Sequence, residues 1–166
     1  MYSRGELKVP FGTLTIIASD SGLRYVMFDQ DAHPKHLHEL EIKDDPDHPL
    51  LKVATTQLRE YFAGTRTKFD LLLDLHGTEF QIAAWKSLAD VPFGSTRSYG
   101  EQAASIGRPK AVRAIGSANG RNPVAIVLPC HRIIGADGSL TGFGGGLPVK
   151  RWLLEHELGV IARATR

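Results

Sequence analysis

Apolar and polar positions divide the 166-residue chain into two stretches of different texture. Residues 13–18 and 23–28 are rich in β-branched and aromatic residues. The polar run Ser19-Asp-Ser-Gly22 lies between them, so the pattern predicts a β-hairpin. Residues 29–48 are polar and carry prolines, which reads as a loop. From Pro49 onward, Leu50, Leu51, Ala54, Leu58, Tyr61 and Phe62 recur at helical spacing, and Gly64 supplies a stop. Residues 69–75 form a short apolar run that predicts a strand, and His76-Gly77 marks a boundary. The expected organisation is therefore a module over residues 1–76 and a second over residues 77–166.

The second stretch predicts short, well-capped helices. Thr78-Glu-Phe-Gln81 and Ser98-Tyr-Gly-Glu101 both have the form of a capping box, in which side chains at either end of the motif satisfy two unpaired amides. Phe80, Ala84, Trp85 and Leu88 would form the buried face of the first helix, and Pro92-Phe-Gly94 would break the chain after it. The second helix would end at Gly107. A third would begin with Pro109 in its first turn and run to about Asn119, with Gly120 as its stop. Two short helices around Ile106-Gly-Arg-Pro109 make a helix-turn-helix pattern. On the later helix, Ala111, Val112, Ile115 and Ala118 fall on one arc and are expected in the core. Lys110, Arg113, Gly116 and Ser117 fall opposite, a small and basic face suited to a phosphate backbone. A last helix is expected from Pro148 to Gly159.

Composition excludes some classes. The longest apolar run, residues 124–128, is far short of the roughly 20 residues a membrane span needs. The amino-terminal residues lack the apolar core of a signal peptide. A single cysteine, Cys130, forms no internal disulfide, which fits a soluble protein of a reducing compartment such as the cytoplasm. The net charge of +2 conceals an asymmetry. Residues 1–75 carry 9 basic and 12 acidic side chains, whereas residues 76–166 carry 11 and 6. Residues 97–132 hold six basic residues and one acid, Glu101. Such a half either faces a polyanion or presents a solvated basic surface.

Cys130 ends the apolar run Pro123-Val-Ala-Ile-Val-Leu-Pro129 and precedes His131 and Arg132. A lone cysteine is commonly a small, inert core residue. A nucleophilic one needs a base or positive charge beside it, and the base needs an acid to fix its tautomer. On an extended segment Cys130 and His131 would point to opposite sides, leaving a water to carry the proton between them. Glu155 and Glu157, on the last helix, are the candidate acids.

The block Pro129-Cys-His-Arg132, preceded by Gly120-Arg-Asn-Pro123, resembles the active-site signature of the O6-alkylguanine-DNA alkyltransferases. The order of the flanking segments agrees: Val91-Pro-Phe-Gly94, Ser98-Tyr99, Ala111-Val-Arg-Ala-Ile-Gly116, the glycine run at 142–146, and Lys150 through Trp152-Leu-Leu to Glu157. The resemblance covers residues 76–159 closely. It implies an α+β fold, with a small ribonuclease-H-like sheet-and-helix domain followed by a mostly helical, winged-helix-like domain. It also implies irreversible, once-only transfer of an alkyl group from O6-methylguanine, larger O6-alkyl adducts or O4-methylthymine onto Cys130. His131 would act as base through water, Glu157 would hold His131, Tyr99 would serve the departing guanine, and Asn122 would brace the turn before the cysteine. The substrate pocket would comprise Tyr99, Ile133, Phe143 and Gly144. Phe143 stands where a tyrosine is frequent, and Ala125 and Thr141 occupy variable pocket positions. The partner would be double-stranded DNA, met in the minor groove by a monomer, or by copies binding cooperatively, with the target base flipped out. Arg113 would fill the gap left behind, and Ala114, Gly116, Ser117, Lys110 and Arg97 would complete the DNA contacts.

No cofactor and no metal are expected. His33, His36, His38 and His48 suggest a metal cluster, but their spacing suits no familiar closed site. The glycine run at 142–146 lacks the strand and spacing of a dinucleotide fingerprint and reads as a loop over the active site. Two other classes fit parts of the pattern: a non-catalytic helix-turn-helix DNA-binding protein and a cysteine–histidine hydrolase.

Overall fold

The structure is a computed structural model that describes residues 1–29 and 37–165. The chain divides into two compact units, Met1–Leu75 and His76–Arg166. In the first, β1 (Tyr2–Val9), β2 (Gly12–Ala18), β3 (Leu23–Met27) and β4 (Ile42–Asp44) form one sheet in the order β3-β2-β1-β4. β1–β2 and β2–β3 are antiparallel, whereas β4 joins β1 in parallel. Helix α1 (Pro49–Ala63) packs across the sheet, burying Leu51, Ala54, Leu58 and Tyr61. Gly5, Ile16 and Val26 are register neighbours on the face toward α1, and a Cβ at Gly5 would lie 3.6 Å from Leu51 Cδ1. Ile17, Tyr25 and Met27 cluster on the other face with Tyr2, Leu37, Leu40 and Ile42. Gly64 closes α1 at φ 80°, where a Cβ would be strained.

Three expectations for this unit require correction. β1 was not foreseen, because Ser3, Arg4, Glu6 and Lys8 dilute its apolar pattern; its pairing with β2 through Val9 and Gly12 supplies what the pattern lacks. The 29–48 loop contains β4 and a short 3-10 turn at Leu37–Glu39. The strand expected at 69–75 is only a single parallel bridge between Leu23 and Leu73. That segment passes so close to Gly22 that a Cβ there would lie 2.8 Å from the Leu73 carbonyl carbon, and Leu72 points outward at 67% exposure.

In the second unit, α2 (Glu79–Ser87), α3 (Tyr99–Ser105) and α4 (Val112–Gly120) pack together around Ala84, Ala103, Ile115 and Ala118. Both capping boxes form, Thr78 with Gln81 and Ser98 with Glu101. Polar locks join the three helices. Trp85 Nε1 donates to the Ala118 carbonyl at 2.8 Å, and the buried amides of Gln102 and Asn119 exchange hydrogen bonds of 2.8 and 3.1 Å. β5 (Arg97–Ser98) and β6 (Ile133–Ile134) form a two-residue parallel ladder, and α5 (Leu147–Ala164) closes the unit.

α4 starts later than its proline suggests. Pro109 occupies the second position of a turn closed by the Ala111 amide on the Arg108 carbonyl, a position its fixed φ favours, and the helix begins only at Val112. Val112 is 42% exposed instead of buried, because the core arc passes through Ile115, Ala118 and Asn119. Gly159 does not end the last helix, which continues to Ala164. Beyond Gly159, Ile161 Cδ1 rests where a Cβ at Gly94 would lie only 1.9 Å away, so packing carries the helix past its weak residue.

Candidate active site

The approach to Cys130 is built from a strained turn. Ile126 sits at φ 73°, left-handed backbone that a β-branched residue adopts only under constraint. The constraint comes from both ends of the turn. Leu128 N bonds the Val124 carbonyl at 3.0 Å. The Asn122 side chain accepts from Val124 N at 3.0 Å and donates to the Leu128 carbonyl at 2.7 Å. Pro129 then leads into a 3-10 turn, Cys130–Arg132, so the expectation of an extended Cys130-His131 segment is corrected. All three residues are buried, Cys130 at 8% exposure and His131 at 0%.

Behind the cysteine, Glu157 from α5 receives four hydrogen bonds. Its Oε2 meets His131 Nε2 at 2.6 Å and Arg132 Nη2 at 3.1 Å; its Oε1 meets Arg132 Nε at 2.9 Å and Gly94 N at 3.0 Å. Arg132 is thus held in a two-pronged grip, and its Nη1 donates to the Val91 carbonyl at 2.7 Å. Burial alone would raise the Glu157 carboxyl, but the bonds and charges of His131 and Arg132 outweigh it and hold the group far below the usual carboxylate range. Burial also lowers His131, against the pull of Glu157, and the charges of Arg132 and Lys150 push the same way. The ring is therefore neutral. A neutral imidazole beside a carboxylate carries its proton on Nε2, leaving Nδ1 as the acceptor. Nδ1 is buried and has no hydrogen-bond partner among the described residues. Of the two candidate acids, Glu157 meets the histidine, and Glu155 is exposed.

Cys130 opens onto a cavity of about 510 Å3, within the range of roughly 300–1,000 Å3 usual for small-ligand sites. α4 contributes Val112, Gly116, Asn119 and Gly120 to its wall, and the loop before α5 contributes Thr141, Gly142, Phe143 and Gly144. Tyr99, the first residue of α3, completes the lining. Its hydroxyl donates to the Thr141 carbonyl at 3.3 Å and accepts from Thr141 Oγ1 at 3.0 Å. Lys150 is wholly buried, donating from Nζ to the carbonyls of Ile133 at 2.6 Å and Thr141 at 2.9 Å. Its ammonium lies 5.9 Å from the centre of the Tyr99 ring. Burial lowers the Lys150 pKa, and the charge of a Cys130 thiolate opposes that shift; by the same attraction, Lys150 favours the thiolate.

Of the pocket residues expected from sequence, Tyr99, Phe143 and Gly144 line the cavity together with Thr141. Ile133 and Ala125 are buried outside the lining, and Ile133 bears on the site through the carbonyl that holds Lys150. On α4 and the turn before it, Lys110, Arg113, Ala114 and Ser117 are exposed, and Gly116 is half-buried against the cavity. Arg97 lies half-buried on β5. Sequence reasoning missed Lys150 and the full part played by Arg132. It also missed the wall formed by Val112, Asn119 and Gly120, for which the small residues along α4 were the available signal. His33 and His36 lie outside the described residues; among the described ones no cluster of three His, Cys, Asp or Glu side chains could hold a metal ion. No helix among the described residues is long and apolar enough to cross a membrane.

Comparison with known proteins adds independent findings. Residues 79–159 match the family described as 6-O-methylguanine DNA methyltransferase, DNA binding domain, and residues 4–75 match its ribonuclease-like domain. The chain is 50% identical over 149 residues to the methylated-DNA--protein-cysteine methyltransferase of Mycobacterium bovis, covering 89% of this chain and 87% of that protein. It is 45% identical over 150 residues to the protein of the same name from Methanosarcina acetivorans, covering 89% and 93%. A crystal structure of Mycobacterium tuberculosis OGT in complex with DNA superimposes with a TM-score of 0.86 at 46% identity, covering 96% of this chain and 93% of that one.

Removing the Glu157 carboxylate leaves a buried guanidinium and imidazole without their acceptor. Glu157→Ala is expected to lose about 3–5 kcal/mol of stability in urea denaturation; a loss under about 1 kcal/mol would show that the carboxylate is not the keystone. The neutral buried histidine sets a pH dependence. Because His131 is lowered from its ordinary 6.5, the unfolded chain binds its proton first as pH falls. Stability from this group is complete above about pH 6.5 and declines below it by about 1.4 kcal/mol per unit, with Glu157 adding to the loss below its ordinary 4.5. The decline just below pH 6.5 should be absent in His131→Gln, and an unchanged slope there would assign the effect elsewhere.

Proposed function

Because the chain belongs to the 6-O-methylguanine DNA methyltransferase family, we propose that it repairs O6-alkylated guanine in DNA by moving the alkyl group, once and irreversibly, onto Cys130. The observation that carries this reading is a single cysteine on the wall of a base-sized cavity, backed by His131, Glu157 and Arg132. The thiol proton passes to His131 Nδ1 through an intervening water, and Glu157 stabilises the imidazolium that forms. The thiolate sulfur attacks the alkyl carbon in line. The carbon–oxygen bond breaks, its electrons remain on the purine, and Tyr99 gives a proton or hydrogen bond to the departing guanine. The product thioether has no leaving group suited to reversal, so the protein acts once.

A guanine stacked in a duplex does not reach a buried sulfur, so the nucleotide rotates out of the helix. Arg113, exposed on α4 with Ala114 and Ser117 beside it, occupies the space left behind from the minor groove. Lys110 and Arg97 contribute charge toward the phosphates. Small residues on this face of α4 permit a close approach. No metal or cofactor takes part in this scheme. A non-catalytic DNA-binding role would leave the thiol-histidine-carboxylate series without a use, and a hydrolase would release its product.

Incubation with duplex DNA containing O6-methylguanine, followed by intact mass measurement, is expected to show one added methyl group per molecule and none in Cys130→Ser. An unmodified wild-type protein would sink the proposal, and multiple turnovers would favour hydrolysis. Arg113→Ala is expected to slow repair of duplex DNA by about tenfold or more while leaving reaction with the free base nearly unchanged; equal effects on both would remove its assigned role.

A further inference from the structure

The alkyl-transfer reading accounts for Tyr99 but not for the group that holds its hydroxyl. Thr141 engages that hydroxyl twice, as a donor through Oγ1 at 3.0 Å and as an acceptor through its carbonyl at 3.3 Å. The two contacts differ in kind. At 3.3 Å the Tyr99 proton is held loosely, since O–H···O bonds cluster near 2.7–2.8 Å. The carbonyl that takes it is already served by Lys150 Nζ at 2.9 Å. Transferring the Tyr99 proton to another acceptor therefore leaves that carbonyl still paired. The Thr141 hydroxyl does the opposite job. It donates into the tyrosine oxygen, which fixes that oxygen at the cavity wall and polarises its O–H bond toward the next acceptor.

On the basis of the proposed alkyl transfer, we infer that Thr141 is a positioning residue for the leaving-group step. Its hydroxyl anchors and polarises Tyr99, and its lysine-bound carbonyl is the resting place from which the Tyr99 proton is surrendered to the purine. As the carbon–oxygen bond breaks, the electron pair passes into the purine and the proton moves from Tyr99 toward it. Negative charge then grows on the tyrosine oxygen, and the bond from Thr141 Oγ1–H strengthens as that charge appears. An interaction that grows with the developing charge accelerates the chemical step rather than binding. Thr141 lies in an exposed loop next to Gly142, so removing its hydroxyl alters no buried packing.

Single-turnover transfer from O6-methylguanine in duplex DNA tests the assignment, with DNA affinity measured separately. Thr141→Val is expected to lower the transfer rate constant about tenfold or more, the effect of losing one hydrogen bond to a group that becomes charged, with affinity for the same DNA unchanged. Thr141→Ser is expected to stay within about threefold of wild type, because it keeps the hydroxyl. In a Tyr99→Phe background the valine substitution should cost almost nothing further, since its partner oxygen is gone. A Thr141→Val rate within twofold of wild type would overturn the inference, as would an undiminished loss in the Tyr99→Phe background. Wild-type protein that transfers nothing to Cys130 in the same assay would instead overturn the alkyl-transfer reading itself.

Discussion

One buried carboxylate organises the second unit. Glu157 comes from the last helix, His131 and Arg132 from the turn after the cysteine, and Gly94 from the break after α2. Three segments distant in sequence are fixed to one another because a desolvated carboxylate needs several donors and each donor needs that acceptor. Burial keeps the adjacent imidazole neutral, and the charge of Arg132 offsets part of the opposing pull of Glu157. Chemistry and architecture therefore share the same four hydrogen bonds. With Nε2 committed to the carboxylate, Nδ1 is left without a hydrogen bond among the described residues.

The cysteine's setting shows a second balance. Holding Ile126 in left-handed backbone costs on the order of 1–3 kcal/mol, and the Asn122 brackets with the Val124–Leu128 bond offset it. In return the chain reverses within a few residues and delivers Cys130 to the cavity wall with its neighbours turned inward. A relaxed strand would alternate its side chains, sending His131 away from any partner that Cys130 could share. The short ladder of β5 with β6 then fixes the exit from this turn beside the start of α3, where Tyr99 sits.

Much of this was legible in the sequence because local rules dominate at those places. The capping boxes at Thr78 and Ser98 announce helix starts through side chains that need no tertiary partner. Helical periodicity disclosed α1, and the glycine at its end disclosed the stop. The resemblance carried by Pro129-Cys-His-Arg132 pointed to Cys130, His131, Glu157 and Tyr99, which lie in or directly behind one cavity. What stayed hidden depends on distant partners. β1 is a strand because β2 and β4 flank it, not because its own residues insist. Pro109 suits a helix start and a turn equally, and the Arg108 carbonyl decided between them. Lys150 looks like any helix lysine until the carbonyls of Ile133 and Thr141 close around its ammonium.

The continuation of α5 beyond Gly159 bears on how the protein can be shortened. Every residue given a part in the proposed chemistry lies before that glycine, and the segment that matches the family's DNA binding domain ends at it. A chain trimmed there would look complete by any inventory of reactive side chains. Yet Ile161, two residues further on, is the surface against which Gly94 lies, and Gly94 supplies one of the amides that hold Glu157. The edge of the domain in the mechanical sense therefore falls later than its edge in the chemical sense, by about half a helical turn.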